Sequence, residues 1–441
     1  MGVQEKARTI IQPRLLKGFR DSLPASEIPK KAIIATLEAL FSSYGFVPID
    51  TPALEYTEVL LGKGGGETDK QIFHFQDNGG RDVAMRFDLT VPFARFLALH
   101  LNELPLPFKR FHINKVWRGE NPQKGRYREF IQCDFDIVGA DNAEADYEIL
   151  SVMDASFAAM GVEGVNFHLA HRGLFSQMLA HLGIGEHNTE ILRTVDKLRK
   201  IGRDEVKIEL TALLASQEKA LDILSYIDKE DGDESFLATL ERLERLSGGE
   251  SEHSRRMRSI HGYLASATIA DRFILDPSIT RGLDYYTGLV YETFLEALPH
   301  YGSVCSGGRY NDLAGLYTKQ HLPGVGSSIG LDRLMSALEE LESPIVRAGS
   351  SADVAIIDIR DRFTQCDRAA RLLRQAGLAV SVYLGEKKIG AQYKWVEEQT
   401  IRYALLSDDE GTFTVKDLVD KRTWTQLSGE DAVTTIKKER I

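Results

Sequence analysis

A chain of 441 residues, 43% of them hydrophobic and 27% charged, has the composition of an ordinary globular protein with room for about two to three domains. Its formal net charge of −11 argues against non-specific nucleic-acid binding through an overall basic field, although a local basic face stays possible. No apolar run approaches the roughly 20 residues that cross a bilayer, and no apolar stretch near the N-terminus directs export, so we expect a cytoplasmic protein without a membrane span.

The cysteines give a further indication of compartment. Cys133, Cys305 and Cys366 lie far apart in the sequence and show neither a disulfide framework nor the paired spacing of a metal site. We expect reduced thiols and no structural metal.

The first predicted element is an amphipathic helix, in which apolar residues recur at helical spacing from Ile33 to Phe41 until Gly45 ends the pattern. An extended segment around Pro52 follows, because a proline disfavours helix at the residue before it. The glycine-rich run from 62 to 69 lacks the spacing of a P-loop, which favours a mobile loop beside a site over a nucleotide motif.

The run from Met85 to Pro92 predicts a strand that carries Asp88 and Thr90 on one face. A strand end with a polar cap is the alternative.

Residues 108–139 predict a long hairpin, with one strand ending near Arg118 and a return strand over 128–138. Its arginines, Arg118, Arg126 and Arg128, suit a polyphosphate, because guanidinium groups bind phosphate oxygens in pairs and stay charged. A surface hairpin with solvated arginines is the alternative.

The pattern of the return strand favours a binding site over a solvent-exposed surface hairpin. Gln132, Asp134 and Asp136 alternate with apolar residues, so the three polar side chains share one face. A helix over 143–161 and a strand over 165–169 follow, and charged amphipathic helices occupy about 182–269. The helices over 182–269 look like an insertion. The alternative, nearly as well supported by the residues alone, is that they cover the domain without contacting a substrate.

The stretch from Arg281 to Glu292 places a cation, the carboxylate of Asp284 and the phenols of Tyr285 and Tyr286 within a few residues. Glycines bracket the polar cluster, and alternation from Leu289 onward indicates a loop that leads into a strand. A surface ion pair between Arg281 and Asp284 beside two half-buried tyrosines is the alternative.

The end of the chain contains two further patterns. Residues 323–334 run from a glycine-rich strand into a helix with Arg333 in its first turn, where a cation opposes the helix dipole and needs a negative partner. Strand, helix and strand over 354–359, 366–376 and 379–384 predict a separate α/β domain. Basic and aromatic residues over 387–395 suit unpaired bases or an exposed helix surface.

Two runs together, Arg281 to Glu292 and Cys305-Ser-Gly-Gly-Arg-Tyr-Asn-Asp-Leu313, resemble the paired signatures of histidyl-tRNA synthetases, a class II family. The hairpin resembles class II motif 2, residues 323–334 resemble motif 3, and the first helix with its extended segment resembles motif 1, which forms the dimer interface. The resemblance covers nearly the whole chain.

The resemblance implies an α/β fold with an α+β catalytic core. An antiparallel sheet flanked by helices would occupy 1–342 with the helical insertion at about 182–269, and an α/β anticodon-binding domain would occupy 350–441. It also implies activation of L-histidine by ATP to histidyl-adenylate and transfer to tRNA(His), with Mg²⁺ and a homodimer.

Residue roles follow by the same resemblance. Arg118 and Arg281 would be catalytic, and Gln123 would meet the tRNA acceptor end. ATP would be held by Arg118, Glu120, Arg126, Phe130 and Arg333, and histidine by Asp88, Thr90, Gln132, Asp136, Arg281, Tyr285, Tyr286 and Tyr310. No metal-binding residue is expected.

Two other classes of function remain open at this point. One is a non-catalytic paralogue that senses histidine and regulates another enzyme, and the other is a tRNA-binding module without ligation. Both tolerate loss of the motif arginines, which are all present here.

Overall fold

The computed structural model describes residues 11–62, 71–228, 235–280, 285–347, 349–408 and 411–440. The chain divides into two compact units. One takes the described residues within Met1–Asp21 and Ile33–Leu341, and the other takes Ser22–Ala32 with the described residues of Glu342–Ile441.

Strands of the first unit form two sheets. They are β1 (Val47–Pro48), β2 (Leu54–Tyr56), β3 (His74–Gln76), β4 (Asp82–Met85), β5 (Phe108–Trp117), β6 (Glu129–Val138), β7 (Val165–His171), β8 (Phe273–Leu275), β9 (Leu289–Leu295), β10 (Cys305–Arg309) and β11 (Gly324–Gly330). The large sheet has the order β1-β5-β6-β11-β10-β9-β7-β8 and the small one β2-β4-β3. Only the β1–β5 and β7–β8 pairings of the large sheet are parallel, which confirms the expected antiparallel core.

Helices cover and extend this sheet. As far as residue 341 they are α1 (Pro24–Ser43), α2 (Thr57–Leu61), α3 (Thr90–His100), α4 (Ala143–Ala159), α5 (Arg172–His181), α6 (Asn188–Val195), α7 (Leu198–Ile201), α8 (Arg203–Leu214), α9 (Gln217–Ile227), α10 (Phe236–Leu246), α11 (Glu252–Ser266) and α12 (Leu331–Glu340). Short 3₁₀ helices cover Gly185–His187, Ala270–Arg272, Pro299–Tyr301, Leu313–Leu316 and Pro344–Val346.

The hairpin β5–β6 lies near one end of the large sheet and has two unlike faces. Phe135 packs against Phe41 of α1 with ring centroids 4.9 Å apart, on the apolar face. Asp136 lies on the opposite face, where it pairs in register with Arg110 of β5 and Gly326 of β11. The alternation predicted for the return strand is therefore present, and the polar face is the one that carries the candidate site.

The strand predicted through Asp88 and Thr90 is wrong. β4 ends at Met85, and Thr90 is the first residue of helix α3. The cause is local, since the side chain of Asp88 accepts a hydrogen bond from the backbone N–H of Val91 at 3.1 Å and satisfies a free donor of the first helical turn.

Helices α6–α11 occupy the stretch where an amphipathic helical insertion was predicted. Arg256 on α11 joins this insertion to the rest of the unit, because it donates to the carboxylates of Asp146 at 2.6 Å and Asp141 at 2.7 Å. Asp146 also accepts from the buried Arg309 of β10 at 2.9 Å. A buried ion-pair network therefore runs from the insertion to a strand of the site.

The second unit contains its own sheet and core. Its elements beyond 342 are β12 (Val354–Ile357), α13 (Phe363–Gln375), β13 (Val380–Val382), α14 (Ile389–Glu398), β14 (Tyr403–Ser407), β15 (Phe413–Asp417), β16 (Thr423–Leu427) and α15 (Gly429–Arg440). The strand order is β13-β12-β14-β15-β16, with β12 parallel to both of its neighbours. The predicted βαβ start is present, and the antiparallel strands β15 and β16 extend it beyond the prediction.

All three cysteines are buried and free. Burial raises the pKa of the Cys305 thiol to about 12 and raises that of Cys133 well above its ordinary value. Among the described residues, no helix is both long and apolar enough to cross a membrane.

Candidate active site

Glycines on the central strands open the polar face of the sheet. A Cβ at Gly326 would lie 1.8 Å from Oδ1 of Asp136, and one at Gly308 would lie 2.9 Å from the ring of Tyr286. Only glycine lets these side chains lie directly on the backbone of the neighbouring strand. The glycine-rich pattern of β10 and β11 thus shapes the floor of a pocket.

Beside this floor lies an open cleft with an empty volume of about 620 Å³. Arg118 and Arg333 are oriented by backbone carbonyls, since Arg118 donates to Phe87 at 2.9 Å and Arg333 donates to Ser303 at 2.6 Å. The lining residues include Arg118, Glu120, Arg126, Phe130, Gln132, Ser328 and Arg333. All five residues predicted to hold ATP therefore line one cleft.

The cleft carries an excess of positive charge. Burial, and then the nearby charges of Arg126 and Arg118, lower the pKa of Arg333 to about 10. Glu120 opposes this effect, and its carboxylate lies 3.9 Å from Arg126. The three guanidinium groups repel one another in the free protein. An anion with several charges would relieve that repulsion, so its binding to the cleft is favoured.

Phe130 lies in the cleft with its ring centroid 5.2 Å from the guanidinium carbon of Arg118. An aromatic face beside the cations suits a planar base attached to the phosphates. Gln123 is different: it is exposed, and its backbone pairs with Arg126 across the tight hairpin loop.

Arg128 does not share the phosphate role that its position in the hairpin suggests. Its Nε donates to the carbonyl of Glu120 at 3.0 Å, and its backbone N–H donates to Gly18 at 2.9 Å. Arg20 in the same N-terminal segment pairs with Asp332 at 2.5 Å, and Asp332 accepts from the backbone N–H of Ile131. This segment holds the hairpin loop in place, a role that the sequence patterns did not indicate.

A second group of side chains on the same face is acidic and buried, and we call it the acidic pocket. Asp136 accepts a hydrogen bond from the hydroxyl of Tyr310 at 2.5 Å and pairs with Arg110 at 2.6 Å. Burial raises the pKa of Asp136, and the charge of Arg110 opposes that shift. Arg110 thus favours the ionised carboxylate against the effect of burial, and the carboxylate oxygens can accept a hydrogen bond from a donor on a ligand.

Asp88 and the tyrosines complete this pocket. The hydroxyl of Tyr285 donates to Asp88 at 3.4 Å, and burial raises the pKa of Asp88 to about 6. The ring of Tyr285 lies 4.9 Å from that of Tyr286 and 6.0 Å from that of Tyr310. Thr90 hydrogen-bonds Tyr285 from the start of α3. An ammonium or imidazole group would find carboxylates and aromatic faces together here.

The family follows from the whole chain. A sequence model of histidyl-tRNA synthetases matches residues 18–334, and a model of anticodon-binding domains matches residues 353–439. The chain belongs to the histidyl-tRNA synthetase family. Its function is that of the class II ligases that join histidine to tRNA with ATP as a substrate.

Individual relatives agree with this membership. The histidine–tRNA ligase of Treponema denticola is 51% identical over 405 residues, which cover 91% of this chain and 90% of that protein. The crystal structure of histidyl-tRNA synthetase from Nostoc sp. PCC 7120 matches with a TM-score of 0.85 at 31% identity and covers 98% of this chain and 100% of that one.

A more distant structure shares only the fold with this synthetase. It is described as an ATP phosphoribosyltransferase regulatory subunit/histidyl-tRNA synthetase from Bacillus halodurans C, with a TM-score of 0.72 and 22% identity over 87% of this chain and 97% of that one. The fold alone therefore does not distinguish a synthetase from a regulatory subunit. That distinction depends on the residues of the site.

Several predicted site features lie outside the described residues. Arg281 and Asp284 are among them, as is most of the glycine-rich run over 62–69. In the part of the chain that the structure does describe, no three His, Cys, Asp or Glu residues come together as a metal site.

Two buried residues of the pocket were missed as site residues. Arg110 pairs with Asp136 across β5 and β6, and Asp134 lies opposite His112 and Ser328. Both follow from the period of two along the strands, since Arg110, His112 and Asn114 alternate with apolar residues as the three polar residues of β6 do. The register between the strands supplies the remaining information.

Proposed function

We propose that the arginine cleft binds ATP and the acidic pocket binds histidine, so that the carboxylate of histidine attacks the α-phosphate between them. The observation that supports this most is the continuity of the two regions on one sheet face. Gln132 lines the cleft and lies four residues from Asp136 of the pocket, on the same face of strand β6. The amino acid and the nucleotide would therefore meet beside the hairpin strand β6.

Each predicted side chain has a role in this reaction. Arg118 would hold the α-phosphate, Arg126 and Arg333 the outer phosphates, Phe130 the adenine ring and Glu120 its amino group. Arg281 would approach the α-phosphate opposite Arg118. Catalysis then rests on positioning and on charge stabilisation, which is the usual contribution of a protein to phosphoryl and nucleotidyl transfer.

The amino acid would be held by charge and by hydrogen bonds. Asp88, Thr90 and Gln132 would take the α-ammonium group, and Asp136 with Tyr285, Tyr286 and Tyr310 would line the imidazole pocket. A pocket that hydrogen-bonds a polar side chain rejects analogues that lack it by about 10⁴- to 10⁵-fold without editing.

Mg²⁺ would enter together with ATP. The cleft fits such an ion, because the carboxylate of Glu120 lines it and that of Glu292 is close enough to act on the charge of Arg333, and Mg²⁺ in nucleotide sites usually takes one or two carboxylates along with the phosphates. The ion would neutralise phosphate charge and orient the leaving pyrophosphate.

The tRNA would contact both units. We propose that residues 1–342 form the catalytic domain, with Gln123 at the acceptor end and the insertion at about 182–269 over the acceptor stem, and that residues 350–441 bind the anticodon. The exposed position of Gln123 and the independent core of the second unit support this division.

A homodimer in the cytoplasm completes the proposal. Apolar side chains on the short strands near motif 1 are unusually exposed, with 46% of Val47, 44% of Leu54, 51% of Tyr56 and 47% of Phe75 accessible. Clustered apolar exposure of this kind marks an interaction surface. The buried free thiols agree with a reducing compartment.

The test is histidine-dependent exchange of labelled pyrophosphate into ATP, without tRNA, for the native chain and for Arg281→Ala. We expect exchange with histidine alone among the amino acids and a loss of roughly 100- to 1000-fold in the variant. A folded native chain that binds histidine without exchange would refute the ligation mechanism and favour a histidine sensor. Sedimentation of the native chain tests the dimer separately.

A further inference from the structure

One hydrogen-bond chain on the polar face includes Gln132, to which the mechanism above assigns the α-ammonium group without saying what orients its amide. The side-chain amide of Gln132 donates from Nε2 to the hydroxyl of Ser328 at 2.6 Å. Its carbonyl oxygen Oε1 is buried and has no hydrogen-bond partner among the described residues. Both residues line the cleft, so a buried acceptor lies unused at the border of the two pockets.

Ser328 connects this amide to a buried acid. Ser328 of β11 lies directly opposite Asp134 of β6, so the two side chains face each other on neighbouring strands. The serine hydroxyl lowers the pKa of Asp134, as a hydrogen-bond donor to the carboxylate does. Asp134 is 1% exposed, and its Oδ1 has no partner among the described residues. Because a serine hydroxyl carries one hydrogen, donation to the carboxylate leaves its oxygen as the acceptor for Gln132.

The direction of the whole chain is then determined. The amide of Gln132 donates to Ser328, and Ser328 donates to Asp134. The NH₂ group of the amide is committed to the serine, so the carbonyl oxygen is the end that stays available. Without the acid, the hydroxyl could donate to Gln132 instead and the amide could rotate by half a turn.

We propose that Ser328 and Asp134 are positioning residues that turn the carbonyl oxygen of Gln132 toward the α-ammonium group of the bound amino acid. The inference rests on the proposed function for histidine as the occupant of the acidic pocket. A carbonyl oxygen accepts a hydrogen bond from an ammonium group, whereas the NH₂ end of the amide would repel it. Affinity for the amino acid should therefore depend on two residues that do not touch it.

The charges around Asp134 act in both directions on its carboxylate. Burial, Asp136 and Asp88 raise the pKa of Asp134, and Arg110 on the neighbouring strand and the hydroxyl of Ser328 lower it, which leaves the pKa at about 7. An ammonium ligand adds positive charge on the same face and favours the ionised form further.

The experiment compares two ligands that differ only in the group at issue. Equilibrium dialysis measures Kd for labelled histidine and, by competition, for 3-(imidazol-4-yl)propionate, which lacks the ammonium group. For Ser328→Ala we expect Kd for histidine to rise about 10-fold and Kd for the propionate to change less than about twofold. Ser328→Thr keeps the hydroxyl and should restore most of the affinity for histidine.

A matched control lies one residue away. Ser327 is buried on the opposite face, where its hydroxyl lies 3.1 Å from the sulfur of Cys305. Ser327→Ala should leave the ratio of the two Kd values unchanged.

The acid is tested by Asp134→Asn, since an asparagine amide can donate to Ser328 and reverse the chain. We expect this variant to raise Kd for histidine about as much as Ser328→Ala, and the double variant to add little more, because both changes break one unit. Additive losses would show that the two residues act separately and would overturn the proposal.

The remaining outcomes are also decisive. An equal rise of Kd for both ligands in Ser328→Ala would mean that Ser328 only supports the structure of the pocket. An unchanged Kd for histidine would mean that the amide of Gln132 does not need Ser328 to orient it. Either result would overturn the proposal. Because dialysis requires no turnover, a native chain that binds histidine without pyrophosphate exchange would refute the ligation mechanism while still testing this inference.

Discussion

The cleft and the pocket lie on one sheet face, yet they treat charge in opposite ways. Arg126 in the cleft keeps 38% of its side chain exposed, whereas Arg110 and Asp136 in the pocket keep 0% and 3%. Among the described residues, the cleft is a partly exposed group of cations with few acids, and the pocket is a buried group of acids paired with Arg110. Long-range charge should therefore govern nucleotide binding, while hydrogen-bond geometry should govern binding of the amino acid.

The largest expected effect comes from removing a cation that touches the reacting phosphate. Arg118→Ala should lower the rate of histidine-dependent pyrophosphate exchange by roughly 100- to 1000-fold, because a preorganised stabiliser of transition-state charge is lost. Arg371→Ala is the matched control, since that side chain is 72% exposed on the second unit and pairs with Asp367. A loss below about tenfold in Arg118→Ala would remove Arg118 from the chemistry.

The acidic pocket can be tested separately by a substitution at Gly326, which lies directly against Asp136. In Gly326→Ala the new methyl group would overlap Oδ1 of Asp136, so the carboxylate must move away from Tyr310 and Arg110. We expect KM for histidine to rise roughly 10- to 100-fold with little change in KM for ATP, as measured by pyrophosphate exchange.

The control for that change is Gly315→Ala, because nothing lies within 4 Å of a Cβ at Gly315. Its kinetic constants should match those of the native chain. Equal effects of Gly326→Ala on both substrates would show that the two regions are not separate.

The buried acids also predict a dependence of stability on pH. Burial raises the pKa of Asp134 in the folded state to about 7, from an ordinary value of 3.8. The folded state therefore binds the proton more tightly, and this contribution to stability is complete below about pH 4 and is lost as the pH rises through about 7.

At high pH the ionised carboxylate of Asp134 is buried, which destabilises the folded state. Asp134→Asn removes this ionisable group and adds no charge. Its melting temperature should exceed that of the native chain by a few °C at pH 8, and the difference should shrink toward pH 5. Asp271→Asn, at an exposed position, provides the control. A difference that does not change with pH would mean that Asp134 does not titrate in this range.

The smallest expected effect is that of salt, which should change KM for ATP more than KM for histidine. An increase in KCl from about 0.1 M to about 1 M shortens the Debye length from about 10 Å to about 3 Å. We expect KM for ATP to rise a few-fold, since the cleft is open to solvent, and KM for histidine to change less than about twofold. Equal sensitivity of both constants would contradict the contrast in solvation.

Much of this site could be predicted from local patterns, because strand alternation and turn residues act over short distances. The hairpin and the shared face of Gln132 and Asp136 are of this kind. The strand through Asp88 and Thr90 failed because a single side-chain cap competes with alternation and starts a helix instead. A period of two cannot detect that competition.

Other features depend on pairings between distant segments. The contacts of Arg128 with Gly18 and of Arg20 with Asp332 join parts of the chain that are separated by about 110 and 312 residues. The pairing of Asp134 with Ser328 depends on strand register in the same way. One sequence without its fold contains no local signal for such contacts, so the supporting residues of the site could not be found.

The burial of all three cysteines has a practical consequence for optical measurements. A thiol-reactive dye would find no accessible native thiol, so a single cysteine at the exposed Asn121 beside the cleft could carry a fluorophore without removal of the native ones. Its emission would follow nucleotide arrival and pyrophosphate departure in real time, which separates steps that a steady-state assay combines.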